Sequence, residues 1–552
     1  MFTLLLALLA TSAVSPRAAI ATAHPLASEA GVEQLRAGGN AADAAAAAAF
    51  ALSVVEQQSS GIGGGGFALV YLAKENRIHV LDFRETAPAA ASKDMYLHEG
   101  KPQPELSLTG GLSVAVPGAV KGYVELVRRF GKRPLAKVMG PAISLAAEGF
   151  RTGISNFRAA QARLEPLRKD PGARAAILVE GKPPEPGHLW AQRDLAATLK
   201  AIAGDGGDGF YRGALARKLV EGVRAAGGIL TLEDLQRYRV RERAPIEGRY
   251  RGHRVVSMPP PSAGGAILVA LLQALEGEDP RAGGYRPERF VHAMVEIEKR
   301  LFARRTALFG DPDFFKPVAA AVREMIDPAF AAVLRAQIGE KATPAAEVKV
   351  KRESGSTTHL SVVDEEGNAV ALTTTVNYIF GSCVVPPGTG VVMNDHMDDF
   401  DLAPGVPNVY GLVGAEANSI APGKVPLSSM SPTLVFAPDG RLRMVVGSPG
   451  GSTIPTTVAQ TILHVIDDGM PIDAALAAPR IHHQLHPDEL RVEADGIEAA
   501  TAAALRARGH RIVFGWGSER AWGNAQAVSV DPKNGWRAAA SDPRGSGAGA
   551  VP

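Results

Sequence analysis

A run of four glycines, Gly63 to Gly66, places the strongest local constraint on how this chain folds. Consecutive glycines cannot form the interior of a stable helix or strand, because they lose the most conformational freedom on folding. Without side chains, they let another segment of backbone approach very closely. A phosphate-binding loop is an alternative, but no Gly-Lys-Ser/Thr follows the run. We therefore interpret the run as a point of close backbone approach.

The spacing of apolar residues predicts helices and strands along the whole chain. Ser28 is a plausible N-cap for the first helix, and Gly38 and Gly39 stop that helix. Residues 258–265 form a proline- and glycine-rich turn that leads into a further helix. The other elements predicted before residue 341 are helices at 28–37, 41–55, 118–129, 135–147, 193–203 and 287–308, and strands at 67–72 and 78–83.

The character of the chain changes at Thr357. Residues 342–355 are polar and lysine-rich, which is typical of an exposed linker. Residues 359–364 and 368–375 then have strand composition, and the Glu-Glu-Gly between them is a hairpin signal. Further along, the predicted elements are strands at 434–437, 442–447, 527–530 and 536–540 and helices at 455–466 and 497–508.

The composition excludes several classes of protein. A chain of 552 residues suggests two domains or one large multilayer body. The net charge of +2 gives no basic surplus for binding nucleic acid. The single cysteine, Cys383, rules out an internal disulfide and a cysteine-based metal cluster. It could be a nucleophile, but a small buried side chain is the commoner role.

The first 18 residues resemble a secretory signal. Residues 2–9 are an apolar run too short to span a bilayer, and small residues follow them, although the basic n-region of a signal is missing. No other stretch reaches about 18 apolar residues, so no integral membrane span is predicted. We expect a periplasmic or secreted protein. The alternative is a wrongly assigned start codon.

The junction at Thr357 has two interpretations when it is taken alone. A small polar segment leads straight into an apolar strand, so the threonine hydroxyl could begin a new chain after cleavage. Alternatively, Thr357 and Thr358 are ordinary strand residues, since threonine favours strands. The local pattern by itself favours the ordinary interpretation, because short motifs often match by chance.

Blocks along nearly the whole chain resemble the γ-glutamyltransferase family, in that family's order. The most specific block begins at Thr357 and reads TTHLSVVD, followed by GNAVA, TTTVN and FG. Other matching blocks stand before and after it, at residues 21–28, 58–67, 82–88, 426–433 and 447–452. A set of this kind is much more specific than any single motif.

The resemblance implies an α/β (α+β) fold, a four-layer αββα sandwich of the N-terminal nucleophile hydrolase type. It also implies a precursor that is cut between Ser356 and Thr357. Residues 19–356 would form the large subunit and residues 357–552 the small, catalytic subunit of a heterodimer. The α-amine of Thr357 exposed by cleavage has a reference pKa of about 7.7–8.0, which suits the base that activates its own hydroxyl.

The same resemblance assigns roles in the site. Thr357 is the nucleophile, Thr375 bonds it, and the backbone of Gly450 and Gly451 forms the oxyanion hole. Arg84 would hold the substrate α-carboxylate through a guanidinium fork. The remaining substrate-binding residues are Ser428 and Ser429 for that carboxylate, Asp399 for the α-ammonium, Asn377, and Tyr410 in a lid at 401–417 that closes over the site and bonds Asn377. No metal or organic cofactor is implied.

Each of these residues also has an ordinary structural alternative. Arg84 could form a surface ion pair with Glu85 or another acid. Ser428 and Ser429 could cap a turn. The further alternatives are a solvated pair for Asp398 and Asp399, a simple tight turn for Gly450 and Gly451, and purely structural roles for His482 and His483.

The chain departs from the family pattern at His396. Glutamine or glutamate usually stands there and helps to bind the α-amino group. A neutral histidine can accept a hydrogen bond, whereas a protonated one would repel an ammonium. The affinity for a γ-glutamyl donor could therefore be weaker or fall with pH, or the substrate could be different.

Several functions follow from these observations. The leading one is γ-glutamyl hydrolysis or transfer, with glutathione or a related γ-glutamyl compound as donor and water, an amino acid or a dipeptide as acceptor. The second is a glutaryl-cephalosporin-type acylase, whose donor lacks the α-amine, although a retained Asp399 argues against it. The third is a non-catalytic relative, and a fourth, a nucleotide-binding protein, rests only on the glycine run.

Overall fold

Two seven-stranded antiparallel sheets stand at the centre of the molecule. The computed structural model describes residues 12–281, 286–345, 356–403, 406–409, 412, 414–515 and 522–552. The first sheet runs in the order Ala548–Ala550, Ala19–Thr22, Thr358–Val363, Ala369–Thr375, Gly65–Leu72, Arg77–Asp82 and Arg241–Arg243. The second runs in the order Ala13–Ser15, Arg537–Ser541, Gln526–Val530, Leu442–Gly447, Thr433–Phe436, His253–Ser257 and Ile246–Tyr250.

Helices cover the outer faces of both sheets. The helices before residue 240 are Pro25–Arg36, Ala41–Val55, Glu105–Leu108, Ala119–Phe130, Leu135–Val138, Gly140–Glu148, Ile154–Ala162, Leu164–Lys169, Pro171–Ile177, Arg193–Asp205, Asp208–Tyr211, Gly213–Ala225 and Leu232–Arg237. Those that follow are Gly264–Leu275, Glu288–Leu308, Pro317–Met325, Pro328–Ala336, Ile454–Ile466, Ile472–Ala477 and Ala499–Ala507.

Short elements complete the described part of the chain. There are 3-10 turns at Gly111–Ser113, His396–Asp399, Glu416–Asn418 and Gly451–Thr453. A small three-stranded sheet joins Ile481–His482, Leu490–Val492 and Ile512–Phe514. Two two-stranded pairs join Leu97–His98 to Lys101–Pro102 and Phe150–Arg151 to Leu189–Trp190.

Three apolar cores separate the layers. Between the sheets, Phe67 and Leu69 of the first sheet belong to one buried cluster with Leu434 and Val445 of the second. On the outer face of the first sheet, every residue of the alanine-rich helix Ala41–Val55 is buried. On the outer face of the second, the helix Gly264–Leu275 is likewise buried along its whole length. The predicted four-layer αββα sandwich is confirmed, because each sheet buries one face against the other sheet and its other face under apolar helices.

The glycine run lies in close contact with the strand Ala369–Thr375 and with the backbone at Val392. A Cβ added at Gly64 would overlap the carbonyl oxygen of Thr375, and one at Gly66 would overlap that of Thr373. A Cβ at Gly63 would meet the Val392 carbonyl. The predicted close backbone approach is confirmed. The last two glycines nevertheless open the strand Gly65–Leu72, where they pair with the end of Ala369–Thr375.

Several predicted boundaries are wrong. The first helix begins at Pro25, and its N-cap is His24, whose Nδ1 accepts from the Leu26 N–H at 3.3 Å. Ser28 lies inside this helix, where its hydroxyl donates to the Ala548 carbonyl at 2.7 Å. The predicted helix at 135–147 is two helices, and the hairpin at 246–257 falls in a region predicted as mainly helical.

The predicted leader overlaps the folded chain. Residues 2–9 lie outside the described residues, as does most of the predicted linker at 342–355. Ala13–Ser15, however, pairs with Arg537–Ser541 as an edge strand of the second sheet. The leader of 18 residues therefore remains a prediction. Removal of a leader of this length would also remove this edge strand. Within the described ranges, no helix is both long enough and apolar enough to cross a membrane.

The close approach at Gly64 generates a prediction about stability. We expect Gly64→Ala to lower the free energy of unfolding by about 3 kcal/mol, because the added methyl group must push the Thr375 carbonyl away in a packed interior. The measurement is thermal or denaturant unfolding. Gly61→Ala in the same loop is the control, since its added Cβ would have Val376 Cγ1 as nearest atom at 3.9 Å. Equal stabilities of the two variants would contradict the prediction.

Candidate active site

The hydroxyl of Thr357 lies between two oxygen atoms at the start of the strand Thr358–Val363. Its Oγ1 is 2.7 Å from the Ser356 carbonyl oxygen and 3.1 Å from Thr375 Oγ1. The Thr375 hydroxyl in turn donates to the Ser356 carbonyl at 3.0 Å and accepts from the Asn377 N–H at 2.8 Å. The peptide bond between Ser356 and Thr357 thus sits beside two hydroxyl groups in a buried setting.

Register explains why these two threonines meet. The strand Thr358–Val363 pairs with Ala369–Thr375, and Thr358 is opposite Thr374. The residues just beyond this pair, Thr357 and Thr375, therefore come together at the open end of the hairpin. The glycine run packs against the same end from the other side.

The segment that follows the helix Ala41–Val55 holds the junction in place. The Ser356 hydroxyl donates to the Gln58 carbonyl at 2.7 Å, and the Thr358 hydroxyl donates to Glu56 Oε2 at 2.5 Å. The Gln58 carbonyl also accepts from the Phe380 N–H at 3.0 Å. Side chains on both sides of Thr357 are thus anchored to one rigid helix end.

A pocket opens beside Thr357 and combines residues from distant parts of the chain. It is lined by Arg84, Arg305, Thr357, Thr375, Asn377, His396, Asp399, Leu412, Leu427, Ser428, Ser429, Met430, Gly451 and Ile454. The structure therefore brings together most of the residues that the sequence assigned to the site. Gly450 is adjacent to the lining residue Gly451, and Tyr410 lies outside the described residues.

Arg84 and Asp399 form a buried ion pair in this pocket. Arg84 is 1% exposed, and its Nη2 donates to Asp399 Oδ2. Arg84 is thus neither on the surface nor paired with its neighbour Glu85. Asp398, which could have formed a solvated pair with Asp399, is buried and accepts from the Ser107 hydroxyl at 2.7 Å.

His396 lies against a second buried acid, Glu85. Its Nδ1 is 2.9 Å from Glu85 Oε1, and both side chains are fully buried. Burial and then the nearby Arg84 hold the pKa of His396 well below its usual range, so the imidazole is neutral at physiological pH. Burial also raises the pKa of Glu85 to about 8, although Arg84 opposes the rise.

Asn394 connects this histidine to the glycine run. Its side-chain amide donates to the carbonyls of Gly63 at 2.8 Å and Ala115 at 2.9 Å. Its amide oxygen accepts from the His396 N–H at 3.1 Å. The turn that carries His396 and Asp399 is therefore fastened to the same glycines that position Thr375.

Left-handed backbone occurs in the loops that surround Thr357. Asn377 has φ of 80°, a conformation that asparagine tolerates better than most residues. Gly450 and Gly451 have φ of 133° and 58°, which favour glycine. Gly451 opens a 3-10 turn at the start of the helix Ile454–Ile466. This arrangement places backbone N–H groups next to the pocket.

The two serines of the pocket differ in their bonding. Ser428 Oγ accepts from the Met430 N–H at 3.1 Å, whereas Ser429 Oγ is buried and has no hydrogen-bond partner in the described part of the chain. The loop at 401–417 is described only in part. From it, Asn408 Nδ2 donates to Asp399 Oδ1 at 3.4 Å and the Val409 N–H donates to Asp398 at 3.0 Å.

Two charged residues were not predicted as part of the site: Arg305, which lines the pocket, and Glu85, which contacts the lining residue His396. Glu85 follows Arg84 directly, but a neighbouring acid suggested only a surface partner for that arginine. Arg305 lies in the predicted helix at 287–308, next to Arg304. No local signal separates these two arginines, because only the packing of the helix decides which of them faces the pocket.

Other reactive side chains lie away from the pocket. Arg163 Nε donates to Cys383 Sγ at 3.3 Å, and burial raises the pKa of that thiol to about 11, which does not suit a nucleophile. His292, Glu296 and His510 form a group with metal-ligand geometry. The two histidines are already bonded to each other at 2.7 Å, and Glu296 accepts from Thr343.

Comparison with known proteins identifies the family. The family model described as Gamma-glutamyltranspeptidase matches residues 27–551. The Glutathione hydrolase proenzyme of Escherichia coli (strain K12) is 42% identical over 534 residues, covering 95% of this chain and 90% of the relative. The Acylase ACY 1 proenzyme of Pseudomonas sp. (strain SE83) is 39% identical over 525 residues, covering 94% and 90%.

Solved structures have the same architecture. The cephalosporin acylase from Bacillus halodurans has a TM-score of 0.87 at 30% identity, covering 98% of this chain and 97% of that chain. The Helicobacter pylori gamma-glutamyltranspeptidase has a TM-score of 0.56 at 38% identity, covering 58% and 92%. Together with the family match over residues 27–551, these relatives show that the chain is an enzyme that belongs to the gamma-glutamyltranspeptidase family.

Proposed function

We propose that the chain is the precursor of an autoprocessed glutathione hydrolase and γ-glutamyltransferase. The observation that carries this proposal is the position of Thr357 Oγ1 beside the Ser356 carbonyl and Thr375 Oγ1. A hydroxyl in this position can attack the peptide bond that precedes it. Relatives named as proenzymes at 40–43% identity support a precursor that matures by cleavage.

Cleavage would proceed by an N-to-O acyl shift. Thr357 Oγ1 loses its proton and attacks the Ser356 carbonyl carbon, the C–N bond breaks, and the freed nitrogen takes up a proton. Negative charge develops on the Ser356 carbonyl oxygen, which already accepts from the Thr375 hydroxyl at 3.0 Å. Water then hydrolyses the ester, which leaves Ser356 with a carboxyl group and Thr357 with a free α-amine.

The mature site would use the same hydroxyl on an external amide. The α-amine of Thr357 acts as base, and Oγ1 attacks the γ-glutamyl carbonyl carbon. The backbone N–H groups of Gly450 and Gly451 stabilise the oxyanion. The amine of the leaving group departs with a proton, and an acyl-enzyme remains. Water or the amino group of an amino acid or dipeptide then takes the acyl group.

The charges of the pocket support a γ-glutamyl donor. We assign the α-carboxylate to Arg84, Ser428 and Ser429, and the α-ammonium to Asp399 with His396. Asn377 and Tyr410 complete the assignment as residues that position the donor. The neutral state of His396 leaves it able to accept a hydrogen bond from an ammonium. Glutathione and similar γ-glutamyl compounds are the donors that fit.

A glutaryl-type acylase is the second candidate. It is favoured by the Acylase ACY 1 proenzyme at 39% identity and by the similarity to a cephalosporin acylase. A glutaryl group lacks the α-amine, so Asp399 would then serve only to hold Arg84. Three relatives named Glutathione hydrolase proenzyme are somewhat more similar, at 40–43%, and Asp399 would have a role with a γ-glutamyl donor.

The mature assembly follows from the cut at Thr357. Residues 19–356 would form the large subunit and 357–552 the small subunit, held together as a heterodimer. Because each of the two sheets contains strands from both parts, the subunits would share both sheets after cleavage. We also propose export to the periplasm or the medium, based on the apolar run at residues 2–9.

The first prediction of this proposal concerns processing. Purified wild-type protein should give two fragments by intact mass, the smaller with Thr357 at its N-terminus. Thr357→Ala should stay whole and have no hydrolytic activity, because it lacks the attacking hydroxyl. A folded wild-type protein that remains one chain would contradict the mechanism and favour a non-catalytic relative.

The second prediction concerns Thr375. Thr375→Val should slow self-cleavage by roughly 100-fold, the usual effect of removing one donor to an oxyanion. It should also slow γ-glutamyl turnover, because it removes the hydroxyl that contacts Thr357 Oγ1. Thr375→Ser keeps the hydroxyl and is the control, so it should retain most of both activities. The rates are measured by gel densitometry of the precursor and by release of a chromogenic amine. Equal rates for the valine and serine variants would exclude this role.

The third prediction concerns pH. The pKa of His396 is held well below its usual range, so this side chain stays neutral as the pH falls from 7.5 to 5.5. We therefore expect the ratio of KM values for a γ-glutamyl donor, wild type over His396→Gln, to be constant across that interval. A ratio that rises several-fold toward pH 5.5 would show that His396 becomes protonated and repels the donor ammonium.

A further inference from the structure

Arg305 is a buried cation that faces the active-site pocket. It projects from the helix Glu288–Leu308, is 4% exposed, and lines the same pocket as Thr357. Its Nε is buried without a hydrogen-bond partner, and no ion pair within 4.0 Å joins it to another residue of the described chain. Burial lowers its pKa to about 10, so it still carries its charge at neutral pH.

The neighbouring arginines differ in this respect. Arg304, one residue earlier, is partly exposed and pairs with Glu324 at the surface. Arg84, in the same pocket, pairs with Asp399. Arg305 has only the longer-range influence of Asp401 and Asp399. A buried guanidinium without a direct partner is unfavourable, because its desolvation is not compensated by hydrogen bonds.

The charges that line the pocket indicate what would compensate it. Arg84 and Asp399 cancel each other, His396 is neutral, and Arg305 leaves one positive charge in excess among the lining residues. The Ser429 hydroxyl lines the same pocket and is also buried without a partner. A guanidinium and a hydroxyl with unused donors are a typical receptor for a carboxylate.

We propose that Arg305 is a specificity-determining residue that binds the carboxylate at the far end of the acyl donor, in addition to Arg84. The inference rests on the proposed function and names a further residue for its donor site. Arg84 divides its donors between Asp399 and the ligand, whereas Arg305 commits no donor to any of the residues that the structure describes. Arg305 therefore selects donors with a terminal carboxylate, and Asp399 selects those that also carry the amine.

Three p-nitroanilide donors distinguish selection for the carboxylate from selection for the amine. The γ-glutamyl compound carries both the carboxylate and the amine, the glutaryl compound carries only the carboxylate, and the 4-aminobutyryl compound carries only the amine. Arg305→Gln should raise KM for the first two by roughly 10- to 100-fold, as expected for the loss of a charge-assisted hydrogen bond. It should change kcat only a few-fold and leave KM for the 4-aminobutyryl compound unchanged.

Matched variants exclude a merely structural role. Arg304→Gln removes the adjacent arginine and should leave all three KM values unchanged. Arg305→Lys keeps the charge but not the fork, and should show a smaller rise for the two carboxylate donors alone. Should Arg305→Gln fail to mature, Arg305→Lys carries the test. The proposal would be overturned if Arg305→Gln changed KM equally for all three donors, or for none of them.

Binding without turnover separates this inference from the proposed reaction. Calorimetric titration with L-glutamate should give weaker binding to both Arg305 variants than to wild type and Arg304→Gln. Absence of γ-glutamyl turnover by the wild-type protein would refute the proposed function, and the titration would still decide on Arg305. Identical glutamate affinities in all four proteins would refute the role of Arg305 even if the enzyme is active.

Discussion

The close approach of the glycine run to the strand Ala369–Thr375 is the constraint on which the site depends. Gly64 and Gly66 lie against the carbonyls of Thr375 and Thr373, where any side chain would collide. This contact fixes the position of the strand end, and therefore the position of the Thr375 hydroxyl. Thr357 is then placed by register from the neighbouring strand. In the proposed reaction, a hydroxyl held in this way would need little rearrangement to act as the nucleophile.

The same loop also organises the substrate side of the pocket. Asn394 bonds the glycine loop on one side and the turn that carries His396 and Asp399 on the other. Movement of the glycines would therefore disturb Thr357 and Thr375 together with His396 and Asp399.

Burial determines the electrostatic character of the pocket. Burial keeps His396 neutral and raises the pKa of Glu85 to about 8, so this contacting pair carries little charge near neutral pH. Burial also makes it costly to separate the Arg84–Asp399 ion pair. It leaves the Arg305 guanidinium without a direct anionic partner among the described residues. The sequence left open whether His396 is neutral or protonated, and its burial favours the neutral form.

The sequence by itself determined the elements with strong periodicity and the members of the site. The helix Ala41–Val55 and the hairpin after Thr357 follow from local patterns, and the glycine run predicts a close backbone contact. Blocks that resemble the family predicted Thr357, Thr375 and Arg84 as site residues, and all three line one pocket. Tertiary structure alone decided the rest. The hairpin Ile246–Tyr250 and His253–Ser257 forms because it pairs with the distant strand Thr433–Phe436, and Arg305 rather than Arg304 faces the pocket because of how one helix packs. Pairing partners far apart in the chain and the rotation of a helix against its neighbours leave no trace in local sequence, since both depend on surfaces that exist only after folding.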